Sequence, residues 1–299
     1  MTERGRTRIF ALACQLPWLL FVLPVLAIAA DGGFDEGLLF RVEPSAGGAP
    51  SYLFGTIHSD DPRVVDVPPL VRARLDRSRV LALEVVPDAR AIEVSVAALK
   101  FDDGRALSDL VPADLYRDSI DALGARGVPE VAVRRFKPWA VMTLLSMPEA
   151  ESGQFLDLVL YRHAIAAGMP VVGLETMQEQ VSVFEGLGAA DQVTLLRQTL
   201  GALSNLPALF ESLIAAYERR DLVLLIELSD DYLDGGETSV AERFRDALID
   251  ARNARMAQRI VPMAAEGGFF IAVGALHLPG PGGLLKRLTA SGFEIKRVY

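Results

Sequence analysis

Cysteine and histidine are scarce in this sequence, which limits the chemistry that it can support. There is one cysteine, Cys14, within an apolar segment, and there are three histidines, His58, His163 and His277. The rest of the chain therefore has no thiol for a disulfide, a thiolate metal site or a cysteine nucleophile. A metal site would combine His with Asp or Glu ligands most simply, because a site of three histidines would use all of them.

An excess of positive charge is also missing. The 299 residues carry a formal net charge of −9, and 51% of them are hydrophobic. Binding to a phosphate backbone relies on clustered Lys and Arg, so this charge argues against nucleic acid as a partner. The composition is that of a folded globular chain, and the length allows one large or two modest domains.

Residues 1–30 have the three parts of a secretory signal. Arg4, Arg6 and Arg8 precede an apolar stretch over residues 9–30 that ends in small residues. At about 20 residues, the stretch is also long enough to span a bilayer if it is retained. We therefore predict a cleaved signal peptide or an N-terminal membrane anchor. Either outcome exports the remainder, to a bacterial-type periplasm or to the periplasmic face of the inner membrane.

Short apolar runs at both ends of the remaining chain flank a long helical middle. Predicted strands cover residues 51–57, 80–86, 171–174, 269–273 and 293–298. Predicted helices cover 68–79, 112–126, 138–147, 154–167, 191–203, 207–221, 238–265 and 284–290. This pattern indicates an α/β or α+β fold, with a central, mostly buried β-sheet flanked by helices and the helical middle as a cap. We expect a single domain over 51–299, preceded by an irregular lead-in over 31–50.

Four of the predicted strands end in a side chain that can bind a metal or a proton. These side chains are His58, Glu84, Glu175 and His277, and a glycine lies three residues before each histidine. In a sheet covered by helices, side chains at the carboxyl ends of strands converge, and glycine lets the backbone pass close to a neighbour. Two imidazoles and a carboxylate suit a divalent transition metal with an open position for water. Glu175 could then act as a base or support a ligand.

Each candidate also has a simpler interpretation. The two histidines of the glycine-containing segments could be hydrogen-bonded to backbone, and either glutamate could be a surface or capping residue. If Glu84 is buried, it needs a cation or a metal as its partner. Arg252 lies in a basic stretch that forms either a solvated helix face or an inward anion clamp. His163, in a predicted helix without a matching glycine, is interpreted as structural.

Taken in order, several segments resemble the TraB/GumN family, which is related to the TIKI-type metalloproteases. The resemblance runs from about residue 50 to 299 and rests on SYLFGTIH (51–58), LALE (81–84), GLET (173–176) with Gln180, RNxxM (252–256) and VGALHLPG (273–280). It implies a sheet flanked by helices and an active centre of two Gly-x-x-His motifs and a glutamate. By this match His58, Glu84 and His277 hold a metal. Glu84, Glu175 and Arg252, or its neighbour Asn253, are the candidate catalytic residues.

The favoured prediction is a metal-dependent hydrolase, a peptidase that acts on a peptide or protein substrate. The resemblance implies manganese or cobalt as the cofactor, with zinc as a third candidate. One alternative is a non-catalytic envelope protein that binds a metal, a haem-like group or another ligand with the same residues. Another is an interaction protein, which would be favoured if Glu84 pairs with an arginine and both histidines are satisfied by backbone.

Overall fold

The computed structural model describes residues 34–45, 47–149, 152–233 and 238–299. The predicted signal peptide or anchor over residues 1–30 lies outside the described residues. Within the described ranges no single helix is both long and apolar enough to cross a membrane. Two consecutive helices, Ala189–Ala202 and Leu206–Arg219, reach that length and composition only together, and they meet at 89°.

Six strands of the described chain form one mixed sheet. They are β1 (Leu39–Pro44), β2 (Ser51–Thr56), β3 (Val80–Leu83), β4 (Val171–Gly173), β5 (Phe269–Gly274) and β6 (Phe293–Arg297). Their order across the sheet is β4-β3-β5-β2-β1-β6. The first four in that order run parallel, whereas β1 is antiparallel to both β2 and β6. This confirms the expected α+β fold with a sheet assembled from distant segments.

Strand β1 corrects the prediction of an irregular segment over residues 31–50. Its sequence, LFRVEP, is short and charged, yet Leu39, Phe40 and Val42 are fully buried. The strand is held between β2 and the C-terminal β6, where Val42 is opposite Ile295. Because strand formation depends on such neighbours more than on local propensity, the six residues alone do not reveal it.

The helices lie where the sequence predicts them, with a few additions. Their bounds are Pro62–Val65, Pro69–Asp76, Ala89–Ala98, Ala113–Ala125, Glu130–Val133, Pro138–Leu145, Leu156–Ala166, Met177–Glu185, Ala189–Ala202, Leu206–Arg219, Leu222–Leu233, Thr238–Arg245, Ala251–Glu266 and Leu284–Ala290. The additions, which are not among the predicted helices, are 62–65, 89–98, 130–133, 177–185 and 222–233. The predicted helix over 238–265 contains a π-helical turn at Asp246–Asp250.

The helical middle has a hydrophobic core of its own. One buried cluster surrounds the sheet, and a second joins the helices between residues 85 and 249. In the second cluster the rings of Trp139 and Phe184 stack with centroids 5.0 Å apart. Val85 and Met177, just beyond the ends of β3 and β4, belong to this second cluster. The helical middle therefore starts at the carboxyl ends of these strands and covers that edge of the sheet.

Candidate active site

Four parallel strands bring the candidate residues to one edge of the sheet. Glu84 directly follows β3 and Glu175 comes two residues after β4, while His58 and His277 follow β2 and β5. All four side chains are buried, with exposed fractions between 0 and 4%. The four side chains therefore lie at the carboxyl ends of neighbouring strands, as the sequence predicts. The contacts below show which of them meet.

Arg252, on helix Ala251–Glu266, is the centre of these contacts. Its side chain is fully buried, so the inward alternative for this arginine is correct. The Nη2 atom donates to Glu84 Oε2 at 2.5 Å and to Glu175 Oε2 at 2.6 Å, and Nε donates to the same Glu175 oxygen at 2.8 Å. The Nη1 atom lies 3.2 Å from His277 Nε2. One guanidinium thus joins three of the predicted site residues.

The cluster is electrically balanced. Arg255 Nη2 donates to the other Glu175 oxygen, Oε1, at 2.5 Å, so two carboxylates face two guanidinium groups. Burial raises the pKa of Glu84, the Arg252 charge acts against this, and the Glu175 charge adds to it. Burial alone would lower the pKa of Arg252, but the charges of both glutamates outweigh it and raise that pKa. The arginine is therefore a permanent cation beside a carboxylate that binds a proton more readily than an exposed glutamate.

The orientation of His277 is fixed by Asn253. Asn253 Nδ2 donates to the carbonyl of Gly282 at 3.1 Å, so its Oδ1 faces His277 Nδ1 at 2.7 Å and accepts a hydrogen bond. The proton of the neutral ring is then on Nδ1, and the Nε2 lone pair points to Arg252. Burial and the Arg252 charge lower the pKa of His277 well below its ordinary value. His277 is thus a neutral acceptor, and Nε2 lies 3.8 Å from Glu84 Oε1.

The glycine of the first Gly-x-x-His segment lets the backbone pass close to a neighbouring segment, as the sequence suggests. A Cβ atom built on Gly55 would lie 2.7 Å from Leu278 Cδ1 and 3.1 Å from Ala275 Cα, so the two segments pass too closely for a side chain. The glycine of the second segment acts through its backbone, because Gly274 N donates to Glu84 Oε1 at 2.7 Å. The two glycines therefore bring β2, β3 and β5 together at the site.

His58 is held differently from His277. Its ring stacks on Phe155 with centroids 4.0 Å apart and an interplanar angle of 8°. Burial lowers the pKa of His58 to about 3, although the charge of Asp60 acts in the opposite direction. His58 is thus a neutral imidazole packed against an aromatic ring.

His163 is apart from the site, as its structural interpretation requires. Its Nε2 lies 2.6 Å from Asp76 Oδ1, and both side chains are partly exposed. This pair joins helices Leu156–Ala166 and Pro69–Asp76 at the surface. His163 therefore offers a matched control for substitutions of the two buried histidines.

Comparisons with known proteins show the family to which the chain belongs. The profile of the TraB/PrgY/gumN family matches residues 38–297. The chain belongs to this family. Among curated relatives, Metalloprotease TIKI2 of Danio rerio is 28% identical over 301 residues, covering 83% of this chain and 58% of the relative. Metalloprotease TIKI1 of Xenopus tropicalis is 26% identical (82% and 59%), as is Metalloprotease TIKI1 of Homo sapiens (83% and 59%).

This TraB/PrgY/gumN chain spans less than two thirds of the length of the relatives that it matches. No solved structure matches it. The relatives' name implies a metal cofactor. The geometry of the cluster shows whether its side chains fit a metal.

The arrangement of side chains does not fit a metal held by His58, Glu84 and His277. Within the described ranges, no three His, Cys, Asp or Glu side chains are grouped as a metal site would require. Instead, the Arg252 guanidinium lies against the Glu84 oxygen and the His277 nitrogen that would face a metal. A divalent cation at that place would add charge to a buried cluster that Arg252 and Arg255 already balance. That ligand set therefore stays a prediction from the sequence.

Asp157 is a site residue that the sequence analysis missed. It is 2% exposed, and its Oδ1 accepts a hydrogen bond from Thr56 Oγ1 at 2.9 Å. No hydrogen-bond partner of Oδ2 is found among the described residues. Burial raises the pKa of Asp157 to about 7, and the Glu84 charge contributes. The signal that could have revealed it is an aspartate within the apolar run FLDLVLY.

A cleft opens at the Glu175 side of the cluster. A cavity of about 620 Å³ lies between helices Ala89–Ala98 and Met177–Glu185, and Glu175, Gly173 and Arg90 are on its wall. Ligand sites of small molecules and peptides commonly have this size. Glu175 is the member of the cluster that borders this cleft, and Glu84, Arg252 and His277 lie behind it.

Proposed function

We propose that this chain hydrolyses peptide bonds at the cluster of Glu84, Glu175, Arg252 and His277. The observation that carries the proposal is the contact between the buried Glu84 carboxylate and the Arg252 guanidinium beside a neutral His277. A carboxylate with a raised pKa suits a general base, and a fixed guanidinium suits the negative charge that develops on a carbonyl oxygen. The name of the relatives supplies peptide or protein as the substrate class.

The residues have separate parts in this reaction. Glu84 takes a proton from water as the water oxygen attacks the carbonyl carbon, and then gives that proton to the departing amine nitrogen. The positive charge of Arg252 stabilises the negative charge that develops on the carbonyl oxygen. His277 accepts a hydrogen bond through Nε2 and so positions the water or the guanidinium. Glu175, which binds both Arg252 and Arg255, keeps the guanidinium in place.

Metal dependence is a second part of the proposal and rests on the relatives' name. We propose manganese or cobalt, and then zinc, as the metal to test. A divalent metal would supply a polarising charge for the scissile carbonyl. The described arrangement does not fit such a metal, so none of the steps above uses one.

Peptide cleavage by matched variants tests the function. The full chain is incubated with a peptide library, with His277→Ala beside His163→Ala, and cleavage is measured by mass spectrometry. We expect loss of at least about a hundredfold in His277→Ala, the size typical of a catalytic group, and an unchanged rate in His163→Ala. Equal cleavage by both folded variants would overturn the assignment of the site.

A chelator tests the metal separately. Wild-type protein is dialysed against a chelator, its metal content is measured, and manganese, cobalt or zinc is then restored. Loss of cleavage on dialysis and its return with one metal supports the metal-dependent form of the proposal. Full activity with no measurable metal would contradict the metal-dependent form of the proposal and leave Glu84 and Arg252 as the active groups.

A non-catalytic interaction protein is the second candidate function. One observation favours it, because Glu84 pairs with Arg252, the kind of partner expected of a structural carboxylate. His277, however, is bound by the side chains of Asn253 and Arg252 and not by backbone alone. A folded protein that binds peptides but cleaves none would support this candidate.

We further propose that the chain is exported, on the evidence of residues 1–30 alone. A fusion of the full chain to a reporter enzyme that is active only outside the cytoplasm tests this. Reporter activity that disappears when residues 1–30 are deleted is expected. A full-length fusion that is produced but shows no reporter activity would contradict export.

A further inference from the structure

A small apolar pocket adjoins His58, on the other side of the site from the cleft at Glu175. Its floor is formed by the end of β2, including Thr56 and His58, and by Leu276 of the turn after β5. Its walls come from helices Leu206–Arg219 and Leu222–Leu233. The pocket therefore lies between the two Gly-x-x-His segments, whose backbones approach each other at Gly55 and Ala275.

The lining of this pocket is almost entirely apolar. Phe210, Leu213, Ile214 and Leu225 form its walls, and Ser229 is its polar member on helix Leu222–Leu233. No Asp, Glu, Lys or Arg is among the described residues that line it. A charged group that entered the pocket would thus lose its water and find no opposite charge.

The size of the pocket limits what it can hold. The cavity measures about 50 Å³, and one water needs roughly 10–15 Å³ on that measure. There is room for about four water-sized groups, which is the number of heavy atoms in the side chain of leucine, isoleucine or methionine. The indole of tryptophan is too large, and a methyl group would leave most of the cavity empty.

We propose that this pocket is a specificity site that takes a medium-sized aliphatic side chain of the substrate, at a residue next to the bond that is cleaved. The inference rests on the proposed peptidase function and adds the substrate preference to it. Burial of each CH₂ group in such a pocket favours the matching peptide by a few-fold, and a complete side chain by about ten- to a hundredfold. Peptides with an acidic or basic residue at this position are expected to be cleaved least.

Two substitutions of the lining change the pocket in opposite directions. Ser229→Leu replaces a hydroxyl group with an isopropyl group and narrows the cavity. The ratio of kcat/KM for leucine peptides to that for alanine peptides should therefore fall by about tenfold or more. Phe210→Ala removes a half-buried ring and enlarges the cavity. The kcat/KM for peptides with phenylalanine or tryptophan at this position should therefore increase relative to that for leucine peptides. Leu209→Ala is the control, because Leu209 lies on the same helix, is also half-buried and does not line the pocket.

The preference is measured as the ratio of kcat/KM values for peptides that differ at one position. Opposite shifts in Ser229→Leu and Phe210→Ala, with none in Leu209→Ala, are the expected result. Folded variants with the wild-type preference would overturn the inference, and because cleavage continues, the proposed function would stand.

A binding measurement separates failure of the pocket from failure of the function. N-acetyl-leucinamide is titrated into the full chain, and the methyl NMR signals of Leu213, Ile214 and Leu225 are followed. Shifts of these signals that disappear in Ser229→Leu, and that N-acetyl-aspartamide does not produce, support the pocket even if no peptide is cleaved. The absence of any shift in the wild type would overturn it.

Discussion

At the scale of single residues, Arg252 explains how two glutamates can be buried at one edge of the sheet. Glu84 and Glu175 are each less than 5% exposed, and a carboxylate in such a place needs a cation or a proton. Arg252 contacts both, and Arg255 contacts Glu175. The sequence predicts that Glu84 needs a partner. It does not predict which one, because residues 84 and 252 meet only through the fold.

Removal of the Arg252 charge should destabilise the protein in a pH-dependent way. In Arg252→Met, Glu84 is buried without its guanidinium partner, at a cost of about 3–5 kcal/mol. A buried carboxyl without a cation holds its proton more tightly in the folded than in the unfolded state. The folded state therefore loses stability as pH rises above about 4.3, the ordinary pKa of glutamate. Urea unfolding at pH 5 and pH 8 should show the larger loss at pH 8.

The double variant Arg252→Met/Glu84→Gln is the control for this prediction. It leaves Glu175 paired with Arg255, so most of the lost stability should return. Equal stability of Arg252→Met and wild type at pH 8 would mean that the buried pair is not as described.

Asn253 should act on the reaction through His277. Asn253→Ala removes the acceptor for His277 Nδ1, so the ring is free to change tautomer. Loss of the hydrogen-bond partner of a metal-binding histidine lowers activity by about 10–100-fold, and we expect the same range for His277. We expect such a fall in kcat together with a change in the ¹⁵N signals of His277. Asn205→Ala, at an exposed position, should change neither, and a wild-type ¹⁵N spectrum in Asn253→Ala would contradict the assignment.

Asp157 should make the protein less stable as pH rises towards 7. Burial raises its pKa to about 7, so the folded state keeps a proton that the unfolded chain releases near pH 4. The stability from this group is complete below pH 4 and is lost as pH rises through 7. Asp157→Asn does not titrate and keeps an acceptor for Thr56. Its stability relative to wild type should increase from pH 4 to pH 8 in thermal or urea unfolding.

Asp114→Asn provides a comparison of opposite sign. The hydrogen bond from Arg197 lowers the pKa of Asp114, so that group stabilises the protein above pH 4 and the stabilisation is lost at lower pH. The variant should therefore lose, not gain, stability relative to wild type as pH rises. A difference between Asp157→Asn and wild type that is constant with pH would show that Asp157 titrates normally.

At the scale of elements, sequence patterns predict strands that are buried on both faces better than a strand that forms only by pairing with its neighbours. Runs such as FFIAV and VLAL are apolar throughout because both faces of their strands are covered, and β3 and β5 lie where these runs predict them. Strand β1 is recognisable only through its neighbours. The same limit applies to Asn253 and Asp157, whose partners are distant in sequence. The strand ends could be predicted, whereas the contacts between them depend on tertiary packing.

The close approach of β2 to the turn after β5 should make Gly55 sensitive to substitution. In Gly55→Ala the new methyl group would meet Leu278 Cδ1 and the backbone of Ala275. Such overpacking costs about 1–3 kcal/mol, and we also expect reduced activity because the two histidine segments are pushed apart. Gly124→Ala is the control, since nothing lies within 4 Å of its new methyl group. That helix position should gain about 0.5–1 kcal/mol.

At the scale of the whole molecule, two hydrophobic cores meet at the site. The sheet and its helices form one, and the helical middle forms the other, beginning at the carboxyl ends of β3 and β4. The central sheet and the helical cap could be predicted from the order of strand and helix patterns. The balanced charges between the cores could not, because they require the register of helix Ala251–Glu266 against the sheet.

The central claim is that Glu84 is the base of a hydrolytic centre, and one measurement tests it most directly. The kcat/KM of Glu84→Gln is compared with that of Glu93→Gln, an exposed residue on helix Ala89–Ala98, on a peptide that the wild type cleaves. The account predicts a fall of at least about a hundredfold in Glu84→Gln and none in Glu93→Gln. A folded Glu84→Gln variant that cleaves at the wild-type rate would contradict it.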